Sequence, residues 1–126
     1  MNAQALLAVA GGGALGAVLR HLLAQVMARP PGAFPAGHFT ANVVGSVLIG
    51  VLFVVLASRA DAQFLRLFLI TGVLGAFTTY SAFSLDTLAL LERGQTAVAA
   101  AYVAGTVVAC VGGCALGMLV GRVAIR

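Results

Sequence analysis

Apolar residues fill four long stretches of the chain, and short polar or Pro/Gly-rich segments separate them. The stretches are Ala3 to Leu19 with an extension to Met27, Phe39 to Ala57, Leu67 to Leu85 with an extension to Leu91, and Thr96 to Gly121. Each is near the roughly 20 residues with which an α-helix crosses the hydrocarbon layer. None shows the strict alternation of a membrane β-strand. The pattern predicts one domain, residues 1–126, with four transmembrane helices.

Composition supports an all-α membrane protein. Hydrophobic residues make up 62% of the chain and charged residues 8%, whereas an ordinary soluble domain has about a quarter charged residues. Lipid must therefore cover much of the surface. The basic residues are all Arg and stand singly, mostly between apolar stretches. This distribution is typical of interfacial anchors and argues against a nucleic-acid partner. Because the start of the chain lacks the basic residues of a secretory signal, we expect the first span to be retained.

The arginines give almost no orientation preference. Four spans would place Arg59, Arg66, Arg122 and Arg126 on one side of the membrane, and Arg20, Arg29 and Arg93 on the other. An excess of basic residues selects the cytoplasmic side. Because the arginines here are distributed almost evenly, the chain could insert in either orientation. The sequence raises the hypothesis that two oppositely inserted copies pair as an antiparallel homodimer.

Small residues recur every four positions in two stretches. The ridge in the fourth stretch contains Ala97, Ala101, Gly105, Ala109, Gly113, Gly117 and Gly121, and that in the first contains Ala8, Gly12, Gly16, Ala24 and Ala28, with Arg20 interrupting it. Such ridges let helix backbones approach closely, and we expect part of this surface to pack between subunits. Cys110 and Cys114 are interpreted as small packing residues.

The third stretch contains the densest polar segment, from Gly72 to Ser84. Two glycines and the adjacent Thr78 and Thr79 weaken a helix there. A broken helix at this depth must face protein or water, and it often binds ions. An unbroken helix whose hydroxyls bind its own carbonyls is the alternative.

Other polar groups within the stretches have two interpretations each. Asn42 is either an interhelical hydrogen-bonding residue or an amide donor in a pore. Tyr102, Thr106, Cys110 and Cys114, spaced by four, predict a polar stripe along one helix face. Arg20 is either an interfacial anchor or a group beside an anion path. Asp86 and Glu92, near the end of the third stretch, are expected to be solvated or paired with Arg.

The first, second and fourth stretches contain no acidic residue. A proton-coupled carrier of small cations needs a membrane-embedded carboxylate, and a cation channel favours acidic rings. Neutral hydroxyls, an amide, aromatic rings and an arginine instead suit an anion that must be dehydrated. The cation carrier, and a membrane assembly subunit with no flux of its own, remain alternatives.

Three segments carry a family resemblance: Gly11 to Arg20, Thr40 to Ser46, and Gly72 to Ser84. They resemble the first, second and third helices of the CrcB/Fluc fluoride channel family, in order and at matching spacing. The resemblance implies a passive, fluoride-selective channel rather than an enzyme. It also implies a dual-topology antiparallel homodimer, with two pores, that exports F⁻ across a bacterial inner membrane and gives fluoride resistance.

The resemblance also implies roles for individual residues. Asn42 would be the pore amide, and Tyr80 and Phe83 the aromatic pore residues. Gly75 and Thr78 would offer backbone carbonyls to a structural Na⁺ on the dimer axis. The polar track of the fourth helix would consist of Tyr102, Thr106 and Cys110. From their chemistry, Ser81 and Ser84 would add hydroxyl donors, and Arg20 a positive charge beside the path.

The chain departs from the family pattern at three positions. Tyr80 stands where the family usually has Phe, Cys110 where Ser is common, and His21 where an aromatic residue often follows the Arg. A phenol adds a hydroxyl to the ring, and a thiol is a poorer hydrogen-bond donor than a hydroxyl. These differences bear on the conduction rate.

Overall fold

The computed structural model describes residues 2–126, and their regular structure is helical. The first helix is Ala3–Val26, the second Ala36–Ala57 and the fourth Thr96–Ala124; the third span, Gln63–Glu92, is interrupted. All four are long and apolar enough to cross a membrane. The predicted set of four spanning helices is confirmed, and the chain is a multi-pass membrane protein.

The third span has two halves. The first half begins with Gln63–Leu65, continues as a π-helix over Arg66–Leu74 and ends with Gly75–Phe77, and the second half is Tyr80–Glu92. Between them, Thr78 has a ψ of 154° and Thr79 a φ of −152°. The predicted break in this helix is therefore confirmed. The π-helical winding was not predicted; such segments often occur near functional sites.

Polar side chains define the ends of two helices. Asn2 accepts a hydrogen bond from the backbone N–H of Gln4, 3.0 Å away, and so caps the first helix. The guanidinium of Arg66 donates to the carbonyl oxygen of Leu56, in the last turn of the second helix, and to that of Arg59, in the turn after it. Arg66 thereby stabilises the turn that leads into the third span, together with the backbone bonds of that turn.

The helices pack in two pairs that depend on glycine. The first helix lies against the first half of the third span, where a Cβ on Gly12 would collide with the Phe68 carbonyl and lie 3.0 Å from the Val73 nitrogen. The second helix lies against the fourth, where a Cβ on Gly117 would lie 3.0 Å from the Val47 carbonyl carbon. Both predicted small-residue ridges thus serve packing within the chain.

The ridge on the fourth helix is only partly covered. Gly113, Gly117 and Gly121 face the second helix, whereas Ala97 and Ala101 are exposed. The expectation that the remaining small-residue surface packs between subunits stays a prediction.

Candidate functional site: a groove at the break in the third span

A groove of about 350 Å³ lies where the break faces the second and fourth helices. Its walls carry hydroxyl, amide, thiol, aromatic and aliphatic groups, and every lining side chain is uncharged. The lining residues are Asn42, Gly45, Ser46, Ile49, Thr78, Thr79, Tyr80, Phe83, Thr106, Val107, Cys110 and Val111. Five of the predicted pore residues, Asn42, Tyr80, Phe83, Thr106 and Cys110, therefore lie around one groove.

Asn42 holds the two halves of the third span in place. Its Oδ1 accepts from the Thr79 backbone N–H at 2.7 Å, and its Nδ2 donates to the Thr79 carbonyl at 3.2 Å. An amide presents one acceptor and two N–H donors, so this pairing satisfies the backbone of Thr79 and leaves one N–H. Of the two interpretations, the interhelical hydrogen bond is present; the pore role stays a prediction.

Thr79 begins the second half of the span. Its Oγ1 accepts from the Ala82 backbone N–H at 3.1 Å, which is the bond of a helix N-cap. Its own N–H, bonded to Asn42, is diverted from the Gly75 carbonyl that it would meet in a continuous helix. Gly75 is exposed on the surface of the chain. The break therefore presents a carbonyl oxygen that lacks its ordinary helical donor.

Two aromatic rings border the groove. The Phe83 ring is buried, with 9% of the residue exposed, whereas Tyr80 is 81% exposed. Their centroids are 5.5 Å apart, and the ring planes are inclined by 42°. Phe83 also contacts Tyr102, with centroids 5.2 Å apart. Phe83 is therefore fixed by its neighbours, while Tyr80 lies open on one side of a single chain.

The fourth helix contributes a buried hydroxyl to the groove. The Thr106 Oγ1 is buried and has no hydrogen-bond partner among the described residues. A buried, unpaired hydroxyl is costly, and it is a good position for a ligand with an acceptor. Cys110, one turn further on, lines the same wall with a weaker donor.

Tyr102 does not line this groove, although it shares the predicted stripe. It is fully buried, and its hydroxyl donates to Asp86 Oδ2 at 3.1 Å. The bulk of its ring directs it into the apolar cluster with Phe83, Leu90 and Ala99. Thr106 and Cys110 therefore face the groove without it. The predicted place of Tyr102 in a polar track stays a prediction.

The other candidate residues lie outside the groove. Ser84 donates to the Tyr80 carbonyl at 3.0 Å, and the Ser81 hydroxyl lies 3.3 Å from Thr79 Oγ1. Ser84 therefore forms the kind of bond considered above for hydroxyls of this span, a hydrogen bond to a carbonyl of its own helix. Arg20 is half-buried, and its Nε has no hydrogen-bond partner among the described residues. The roles of these three residues beside a pore stay predictions.

Asp86 is partly exposed, as the expected solvation requires, but His38 was not predicted as its partner. Among the described residues Asp86 has no Arg partner; its Oδ2 lies 2.6 Å from His38 Nδ1 and also accepts from Tyr102. His38 lies one helical turn before Asn42, and Asp86 lies three residues after Phe83. Helical spacing from those two residues was the signal that would have found the pair.

The geometry defines a class: a multi-pass membrane protein with an uncharged, donor-lined groove at an interrupted helix. Residues 7–118 match the family described as CrcB-like protein, Camphor Resistance (CrcB). The chain belongs to this family, as the sequence motifs indicated.

Curated relatives match over nearly the whole chain. The Fluoride-specific ion channel FluC of Novosphingobium aromaticivorans is 50% identical over 125 residues, covering 97% of this chain and 98% of its own length. That of Cereibacter sphaeroides is 50% identical and covers 98% and 95%. That of Agrobacterium fabrum is 45% identical and covers 90% and 93%.

Proposed function

We propose that this protein is a passive, fluoride-selective ion channel, not an enzyme, which lets F⁻ leave the cell and gives fluoride resistance. We place it in the bacterial inner membrane. The observation that supports this proposal most strongly is the groove itself, an uncharged space at the break that is lined by Asn42 and by Thr106, whose buried hydroxyl has no partner among the described residues. The names of the relatives, Fluoride-specific ion channel FluC, agree with this proposal.

The chemistry of the groove suits a small, strongly hydrated anion. An ion loses water at membrane depth at great cost unless protein groups replace that water. The Asn42 amide and the Thr106 hydroxyl are neutral donors, so they bind an anion without holding it as a fixed cation would. A path for conduction must bind weakly enough to release the ion. Neutral donors meet that requirement.

The aromatic rings add a second kind of contact. A ring has a positive edge because of its quadrupole. Phe83 lies at the groove, held between Tyr80 and Tyr102. Its edge would support an anion that passes from the amide toward the aromatic side, and Tyr80 would add its hydroxyl as a donor. A narrow space between such rings would exclude larger halides.

The alternative functions have less support. A proton-coupled carrier of cations needs an acid in its binding site, but Asp86 lies outside the groove and is engaged by His38 and Tyr102. An assembly subunit without flux would explain the glycine packing. It would not explain a buried hydroxyl that lacks a partner among the described residues, on a residue that lines the groove. The channel accounts for both features.

The proposed channel is a homodimer of oppositely inserted copies. Tyr80, 81% exposed at the groove, leaves one wall for a second copy to complete. The even distribution of arginines on the two sides supports insertion in both orientations. A divergent partner chain is the alternative occupant.

Dual topology predicts signals from both sides of the membrane. We expect C-terminal fusions to a periplasmic phosphatase and to a cytoplasmic fluorescent protein to be active in comparable amounts. Adding three Lys codons at one terminus should shift the ratio, because basic residues select the cytoplasmic side. Activity of one reporter alone would contradict the antiparallel dimer.

The break fits a structural Na⁺, which we include in the proposal. Backbone carbonyls at unwound helices are typical Na⁺ ligands, and the carbonyl of Gly75 lacks its ordinary helical donor because Thr79 bonds to Asn42. The Gly75 and Thr78 carbonyls of two copies would hold the ion at the dimer axis. When bound, it would offset negative charge in the low-dielectric interior.

Fluoride release from proteoliposomes tests the function. Vesicles loaded with potassium fluoride should release F⁻ to an ion-selective electrode only after valinomycin lets K⁺ follow, because a passive channel carries net charge. Protein-free vesicles correct for leakage of HF. Equal release of chloride, or no fluoride release from inserted protein, would overturn the proposal.

Replacing Phe83 with Ile should slow fluoride release by roughly tenfold. The change removes the ring edge that would face the anion and also the aromatic pairs of Phe83 with Tyr80 and Tyr102, each worth about 0.5–1.5 kcal/mol beyond burial, but it keeps an apolar side chain. Phe53→Ile is the matched control, because Phe53 is 58% exposed on the second helix and lies outside the groove. The same loss in both variants would show that the ring edge is not the cause.

A further inference from the structure

We propose that a second cavity, at the loop between the first two helices, is an aqueous entrance to the anion path, and that protonation of His38 in it speeds fluoride flux. The inference rests on the proposed channel function and adds to it an entrance and a regulating residue.

The entrance cavity, as we name it, is a separate space of about 290 Å³. Loop residues 28–35 form one side of it, and the end of the first helix, the start of the second and the end of the third span form the other. Four ionisable side chains line it: Arg29, His38, Asp86 and Arg93. The groove at the break has no charged lining residue. The entrance cavity is thus lined in part by charged groups, whereas the groove is lined only by uncharged groups.

A short series of contacts connects the entrance cavity to the groove. Asp86, on the cavity wall, accepts from the Tyr102 hydroxyl. The Tyr102 ring contacts Phe83, which lines the groove, at 5.2 Å. On its other side Tyr102 meets Phe34 of the loop edge-on, at 5.4 Å and 87°. One buried tyrosine therefore contacts residues of both spaces, and Asp86 lies on the entrance-cavity side of its ring.

The charges that face His38 determine what its protonation does. Asp86 Oδ2 is 2.6 Å from its Nδ1 and is shared with the Tyr102 hydroxyl, while Arg29 and Arg93 line the same cavity. With neutral His38, the carboxylate opposes anions at this wall. An added proton raises the cavity charge by one and forms an ion pair that masks the carboxylate. A cleft lined by charges of one sign concentrates ions of the opposite sign, so fluoride should accumulate in the entrance cavity.

Imidazole is the side chain that ordinarily changes charge between about pH 5 and 8. His38 and Asp86 keep part of their side chains accessible, at 28% and 21% exposure, so protons can reach the pair. Fluoride flux should therefore rise as the pH falls. The sign follows from the anion: a cationic wall attracts it, and an unmasked carboxylate repels it.

The experiment measures fluoride release through the full-length protein in vesicles with equal pH on both sides, from about pH 5.5 to 8, with protein-free vesicles subtracted at each pH. The wild-type rate should be roughly three- to tenfold higher at the acidic end. His38→Gln should remove this dependence and keep the rate at the slow value of the wild type at high pH. His38→Lys, which stays cationic, should also remove the pH dependence but keep the rate at the fast value of the wild type at low pH. His21→Gln is the matched control, because His21 is exposed and lies outside the cavity; it should titrate like wild type.

The outcomes separate this inference from the channel proposal. Flux that is independent of pH in the wild type, or a dependence that persists in His38→Gln and His38→Lys, overturns the entrance role of His38 and leaves the channel intact. A dependence lost in His21→Gln overturns it as well. A wild-type protein without fluoride flux overturns the proposed function and this inference with it.

Discussion

Asn42→Asp should abolish fluoride flux, lowering the rate by about a hundredfold. A carboxylate at membrane depth costs about 2.5–3.5 kcal/mol, and here it would face the path of an anion. It would also bring an oxygen against the Thr79 carbonyl, to which the amide now donates at 3.2 Å. The substitution thus repels the ion and loosens the break together. Release of fluoride from proteoliposomes is the measurement.

Asn2→Asp is the matched control for this substitution. Asn2 is exposed and caps the first helix by accepting from Gln4, and Asp caps a helix equally well. Its flux should equal that of the wild type. Retention of fast flux in Asn42→Asp, in protein that elutes and inserts normally, would contradict the position of Asn42 on the path.

Gly12→Ala should destabilise the protein by about 1–3 kcal/mol, the usual cost of overpacking. The added Cβ would collide with the Phe68 carbonyl and approach the Gly72 Cα to 3.1 Å. Both are backbone atoms, so a side-chain rotation cannot relieve the contact, and the first helix must separate from the third span. Thermal unfolding in detergent, followed by the loss of the monodisperse elution peak, measures the effect.

Gly13→Ala is the control on the same helix. Apart from the first helix's own nearby backbone, no heavy atom of the described residues lies within 4 Å of a Cβ built on Gly13, and Ala has the better helix propensity. This variant should be as stable as the wild type or slightly more so. Equal destabilisation of the two variants would show that helix flexibility, not the close approach at Gly12, determines stability.

The sequence predicted the parts of the fold that follow from composition and spacing. Apolar length gave the four spans, and the interval of four between Gly12 and Gly16, or Gly113 and Gly117, indicated close helix packing. The break was predictable because Thr78 and Thr79 follow two glycines. These properties depend on residues near each other in the chain, so they can be read without tertiary contacts.

The site depends on contacts that sequence spacing does not contain. Asn42 and Thr79 are 37 residues apart, and His38 and Asp86 are 48 apart. Spacing placed Tyr102 on the stripe with Thr106, but its ring packs on Phe83, its hydroxyl bonds to Asp86, and it does not line the groove. The types of donor can be read from the residues themselves, but tertiary packing decides which of them share a cavity.

Recording from the protein in a planar bilayer, with fluoride on one side and chloride on the other, tests the central claim most directly. The claim is that uncharged donors and ring edges at the break of the third span conduct F⁻ alone. We predict a reversal potential that follows the fluoride gradient and does not move when chloride or the cation is changed. A reversal potential set by chloride or by the cation would contradict the account.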